Sequence, residues 1–166
     1  MKLPICETDA KRDSLCNSCG KMLDVGLLTE MDVKVSRILD RLSKSVYLEG
    51  VELEKTMEFG DMVVLVCIGN VGALIGKGGK VVNQLSTELG KKVRIVERGK
   101  DERKTIQELL GNVRLIGINT VFAPGKKLKK ITISEKDKKK LFTDKLNLQK
   151  TIAKIIDNED IEVEFA

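Results

Sequence analysis

Apolar positions recur along the chain with two different periods. Met31, Val35, Ile38 and Leu42 share one face of a helix expected from Thr29 to about Ser45, opened by a Thr29/Asp32 capping box. Val46 to Phe59 reads as extended chain interrupted by Gly50. Gly60-Asp61 then turns it into Met62-Val63-Val64-Leu65-Val66-Cys67-Ile68, a run apolar on both faces and therefore a central strand covered on each side. Asn70 is placed to cap a short helix from Val71, with Leu74 and Ile75 pointing inward. Three glycines open the chain before Val81, Val82, Leu85 and Leu89 resume helical spacing, and a strand is expected over 93–96.

The same order then repeats. Asp101 to Leu110 has the pattern of a helix and Val113 to Phe122 that of a strand. Pro124-Gly125 makes a turn, and Leu128 to Ile133 is a strand with Ile131 and Ile133 on one face. Ser134 and Asp137 are placed to cap another helix. Leu148, Ile152, Ile155 and Ile156 mark the helix after it, and Ile161, Val163 and Phe165 alternate in a final strand. The expected fold class is α/β of the α+β kind: two tandem units over 27–100 and 101–166, each a three-stranded sheet with helices packed on it, after a cysteine-rich segment over 1–26.

The glycine-rich stretch is Val71-Gly72-Ala73-Leu74-Ile75-Gly76-Lys77-Gly78-Gly79-Lys80-Val81-Val82. Glycine inside a helix costs roughly 0.5–1 kcal/mol against alanine, so this concentration needs a geometric or functional return. Close approach of a phosphate backbone is such a return. Gly76 and Gly79 admit a polyanion to main-chain N–H groups, the following helix presents its N-terminus, and Lys77 and Lys80 add formal charge. A P-loop would need a glycine with four residues between it and the Gly-Lys pair, and Ser or Thr after the lysine; those places hold Val71 and Gly78. The dinucleotide fingerprint fails at Val81 and would require a preceding strand.

An apolar strand, Gly72, Ile75, the G-x-x-G loop Gly76-Lys77-Gly78-Gly79, an apolar helix and a closing strand resemble a KH domain. The order helix, strand, strand, helix, loop, helix, strand is that of its type II form. The resemblance implies RNA backbone held at Gly76–Gly79, with bases along a groove lined by Val71, Leu74, Ile75 and Val82. The second unit departs from the pattern. Between Leu141 and Leu146 it has Phe142-Thr143-Asp144-Lys145, with no glycine and an opposing charge, so loop function is not transferred to it.

Charge agrees with this placement. The net charge is +5, and Lys plus Arg against Asp plus Glu runs 9 against 11 over 1–60, 7 against 3 over 61–100 and 14 against 11 beyond. Residues 126–145 carry nine lysines against three acids, a run that suits either a phosphate-facing patch or a solvated face. Four Phe, one Tyr and no Trp leave little for a base-stacking platform of the RRM or OB type. No apolar run approaches the roughly 20 residues of a membrane span, and the N-terminus lacks a signal peptide's apolar core. A soluble, cytoplasmic protein is expected, with Cys67 a buried reduced thiol.

Cys6, Cys16 and Cys19 cluster near the N-terminus, and Cys16-Asn17-Ser18-Cys19-Gly20 has the turn of a metal knuckle. There is no histidine. Cys6-x-x-Asp9 repeats the spacing of Cys16-x-x-Cys19, so Asp9 is a candidate fourth ligand for a structural zinc; Glu7, Asp13, water or a second chain's thiol are alternatives.

Tandem type II KH units in a short chain resemble the RNA-binding part of the NusA family of transcription factors, especially its stand-alone archaeal members, over residues 29–166. The resemblance implies a single-stranded RNA ligand and a role in transcription elongation, termination or antitermination with RNA polymerase. The alternative is a protein-docking adaptor on a ribosomal particle or in RNA processing, with RNA secondary. No paired carboxylates and no nucleophile–base constellation stand out, so no enzymatic activity is expected.

Overall fold

The apolar run at 62–68 becomes the strand β2 (Met62–Gly69), buried on both faces from Met62 to Cys67. A computed structural model describes residues 1–158 and 160–166, and the chain divides into two units, Met1–Glu97 and Arg98–Ala166. In the first unit β2 lies between β1 (Val51–Phe59), which runs antiparallel to it, and β3 (Lys92–Glu97), which runs parallel. The parallel step requires a crossover, and α4 (Val71–Ile75), the glycine loop and α5 (Lys80–Leu89) make it. α3 (Glu30–Leu42) precedes the sheet, with Val35 and Leu39 fully buried against Leu53, Val63, Leu65, Leu74 and Leu85.

Local chemistry accounts for these boundaries. The Thr29/Asp32 capping box forms as expected, Thr29 Oγ1 accepting the Asp32 N–H at 3.1 Å and Asp32 Oδ2 accepting the Thr29 N–H at 2.8 Å. The strand expected from Val46 begins only at Val51. Val46 still belongs to the helix end, donating its N–H to Leu42 O, and Gly50 turns the chain at φ 79°.

Two short helices precede α3: α1 (Glu7–Ala10) and α2 (Asn17–Asp24). Ile5, Ala10, Cys19, Leu28 and Val33 form a small separate core beneath them. Lys2 adds a one-residue parallel bridge to Glu52 at the edge of β1.

The second unit has the same sheet plan. α6 (Glu102–Leu110) precedes β4 (Leu115–Ala123) and β5 (Lys126–Ile133), which pair antiparallel, and α7 (Lys145–Ile156) leads to β6 (Ile161–Phe165), parallel to β5. Ile131, Ile133, Leu148, Ile152 and Val163 are fully buried. The helix expected after Ser134 is instead a six-residue 3-10 helix, Glu135–Lys140, and the Ser134 side chain caps nothing. That segment has no apolar side chain with which to dock a full helix. Asp137 accepts the Arg114 N–H at 3.1 Å and pairs with Lys140 at 2.7 Å.

Candidate nucleic-acid interface

Only five residues of α4 stand between β2 and the loop, and their rotation decides what they expose. Val71 and Leu74, three apart, are 7% and 0% exposed, and both belong to the core. Ile75 is 43% exposed, and Gly72 is also exposed. This corrects two expectations: Ile75 does not point inward, and Val71 and Leu74 support the loop from below instead of forming an open groove wall. Val82 is half-buried on α5. Asn70 makes no side-chain cap; its carbonyl accepts the Ala73 N–H at 3.1 Å.

The turn itself depends on glycine geometry. Gly76 has φ 75° and ψ 167°, a region essentially confined to glycine, and a Cβ there would lie 2.6 Å from Val81 Cγ2 and 2.9 Å from Val81 N. Gly78 is also left-handed at φ 64°, but a Cβ on it would meet open space. Gly79, at φ 78°, donates its N–H to Gly76 O at 3.1 Å. No side chain caps α5, so first-turn N–H groups keep capacity for an acceptor. Lys77 and Lys80 are exposed, and neither pairs with a carboxylate among the described residues. Asn83 was not singled out from the sequence. Its amide lies beside Gly79, 3.6 Å from where a Cβ would stand, a position readable only as one helical turn beyond that glycine.

The N-terminal cysteines come together with Asp9. Cys6 and Cys16 are each the N-cap residue of a short helix, and Asp9 and Cys19 are each its third residue, so the two pairs present donors in equivalent places. Ligand atoms of Cys6, Asp9, Cys16 and Cys19 all lie within 4.8 Å of one another. Asp9 is fully buried. Its Oδ2 accepts the Cys16 N–H at 3.0 Å, while Oδ1 is buried without a hydrogen-bond partner.

The Cys16 N–H holds the Asp9 carboxyl well below the usual carboxylate range. For Cys19, a hydrogen bond with the Cys6 backbone pulls the thiol down, but burial and the Asp9 carboxylate leave it pushed up to about 12. A buried carboxylate oxygen without a partner is costly, and a cation is what three thiols and a carboxylate together accommodate. This donor set can hold a metal ion. Glu7 is turned away, its carboxylate pairing with Lys11 at 3.0 Å.

Residues 62–98, which include β2, the loop and β3, match the family model of the NusA-like first KH domain. Over 94 residues the chain is 33% identical to a protein of Methanocaldococcus jannaschii described as "Probable transcription termination protein NusA", covering 57% of this chain and 48% of that one. The chain thus spans about half the length of the curated relative it matches. A solved structure described as "Crystal structure of APE1850" aligns over 69% of this chain and 88% of its own, with 24% identity and a TM-score of 0.49. Among the described residues, no helix is long and apolar enough to cross a membrane.

Proposed function

We propose that this chain is a single-stranded RNA-binding protein acting in transcription elongation, termination or antitermination alongside RNA polymerase. The observation that carries the reading is the left-handed Gly76-Lys77-Gly78-Gly79 turn at an uncapped helix start, inside the segment that matches a NusA-like KH domain. Main-chain N–H groups at the α5 N-terminus donate to a phosphate where a Cβ-free backbone allows close approach. Lys77 and Lys80 add charge, while Ile75, Gly72 and Val82 face the bases. Val71 and Leu74 hold this surface from the core. The M. jannaschii relative's description supports the transcriptional part of the reading.

Few phosphates are neutralised by one loop and a handful of lysines. Each contributes a log–log salt slope of roughly 0.7 on single strands, so a total slope of about 2–4 is expected. The test is fluorescence anisotropy with a random-sequence single-stranded RNA pool across a salt series. Wild type should bind with that slope, and the Lys77→Asp, Gly78→Asp double variant should lose binding while keeping its cooperative melt. Equal binding by both proteins would sink the loop reading.

The N-terminal cluster is read as a structural zinc site with Cys6, Asp9, Cys16 and Cys19 as ligands, the unpartnered Asp9 Oδ1 being the observation in its favour. Zinc would tie α1 to α2, whose shared core is small. Metal analysis after expression with zinc should find one ion per chain in wild type and none in a Cys6→Ser, Cys19→Ser variant.

A second reading, a protein-docking adaptor, is favoured by Val25 and Leu27, which are 70% and 76% exposed just before α3. Polymerase or ribosomal proteins that co-purify after nuclease treatment with wild type, but not with a Val25→Ser, Leu27→Ser variant, would favour it.

A further inference from the structure

The β4–β5 ribbon of the second unit carries an exposed ring that Lys127 covers on one face. β4 and β5 pair from Leu115 to Ala123 and from Lys126 to Ile133, but β6 reaches only Lys129–Ile133, so the tip is two-stranded. Phe122 stands there 78% exposed, directly across from Lys127, whose Nζ lies 5.9 Å from the ring centroid. No Asp or Glu occurs between Glu108 and Glu135, while Lys126, Lys127, Lys129 and Lys130 all fall in that span. Lys127, on the Phe122 face, pairs with no carboxylate among the described residues, Lys129 is taken by Glu102, and Lys126 and Lys130, opposite Ala123 and Asn119, fall on the other face.

An exposed aromatic face beside an ammonium group that no carboxylate neutralises suits one class of polymer in particular. Single-stranded nucleic acid supplies a flat base for the ring and a phosphate within reach on either side. A protein partner would be expected to meet a continuous apolar patch, and here lysines interrupt it. The unit's other candidate place, Phe142 to Lys145, is closed, since Asp144 caps α7 by accepting the Asn147 N–H at 2.9 Å.

We propose that the ribbon tip, Phe122 with Lys127 on the same face, is a second single-stranded RNA contact in which a base stacks on Phe122 and a neighbouring phosphate meets Lys127. The proposal rests on the RNA reading of the chain, though not on the glycine loop. It places the second unit's contact on a strand ribbon rather than at the degenerate loop position.

The experiment is the same salt-series anisotropy titration, with Phe122→Ala, Phe122→Leu, Phe122→Tyr and Lys127→Ala. Phe122→Ala and Phe122→Leu should weaken binding about tenfold at unchanged salt slope, and Phe122→Tyr should restore it. Lys127→Ala should lower the slope by about 0.7. Phe122 is exposed, so a thermal melt should be unchanged in each.

Wild-type affinity and slope in all four variants, with binding still lost in the Lys77→Asp, Gly78→Asp protein, would overturn the ribbon contact and leave the loop reading intact. Retained binding by Phe122→Leu would mean an apolar dock and would equally overturn stacking. Loss in the ribbon variants but not in the loop variant would uphold this proposal and remove the loop reading. No binding by wild type at low salt would remove both.

Discussion

Asp32 Oδ1 accepts both the backbone N–H of Thr56, at 2.6 Å, and its hydroxyl, at 2.7 Å, joining the first turn of α3 to the middle of β1. The other oxygen of the same carboxylate completes the α3 capping box, so one buried side chain fixes a helix start and the register of a helix on a sheet. Asp32→Ala should therefore cost about 2–4 kcal/mol in urea unfolding, since a buried donor is left unmatched along with the lost charged hydrogen bonds. Thr56→Val keeps the backbone donor and should cost about 1 kcal/mol. A double-mutant cycle should show coupling between the two positions.

The loop glycines should separate by steric role. Gly76→Ala combines a glycine-only conformation with contact against Val81 and should cost about 2–4 kcal/mol in stability. Gly78→Ala meets open space and should cost about 1–2 kcal/mol, from its left-handed backbone alone. Chemical denaturation of the two variants measures the difference, and equal costs would contradict the assigned geometry.

Thiol labelling should separate Cys67 from Cys6 and Cys16. Burial pushes the Cys67 thiol up to about 12, so it should react with a thiol reagent only on unfolding. Cys6 and Cys16 are exposed and should react readily in metal-free protein. Added zinc should protect them and stabilise the N-terminal segment, by about 2.7 kcal/mol when free zinc is a hundredfold above its dissociation constant. Asp9→Cys should keep the metal, whereas Asp9→Ala should weaken it.

Acid should weaken the second unit through two carboxylates. Asp137 is held below its ordinary range chiefly by the Lys140 ammonium and then by the Arg114 N–H, and Asp144 chiefly by the Asn147 N–H. Both folded-state values lie below the unfolded ones, so the ionised forms favour the folded state. That stability is complete above about pH 4 and is lost as pH falls through the folded values. Residue-resolved NMR on lowering pH should show second-unit signals weakening in this window, and Asp137→Asn together with Asp144→Asn should flatten the dependence.

Much of the order of elements was legible because it is written locally. The apolar run at 62–68, the capping box at Thr29 and Asp32, and the glycines between α4 and α5 each act within a turn or a strand, where periodicity and backbone preference suffice. The misplaced elements lack such local support. Val46 is drawn into the end of α3, and Glu135–Lys140 has no apolar face.

What only the tertiary structure decided is which side chains meet across long separations. The sequence alone left Asp9, Glu7 and Asp13 as possible companions of the three cysteines. The fold turns Glu7 out to Lys11 and buries Asp9 among the thiols with one oxygen unpartnered. Helical spacing put Leu74 and Ile75 together on the inward side of α4; packing against α5, β1 and β3 buried Leu74 and left Ile75 exposed. Asp32 and Thr56 are 24 residues apart, and nothing in either segment's local pattern pairs them. Conformational preference acts within a few residues of chain, whereas burial and hydrogen bonding across elements depend on where closed loops bring those residues together.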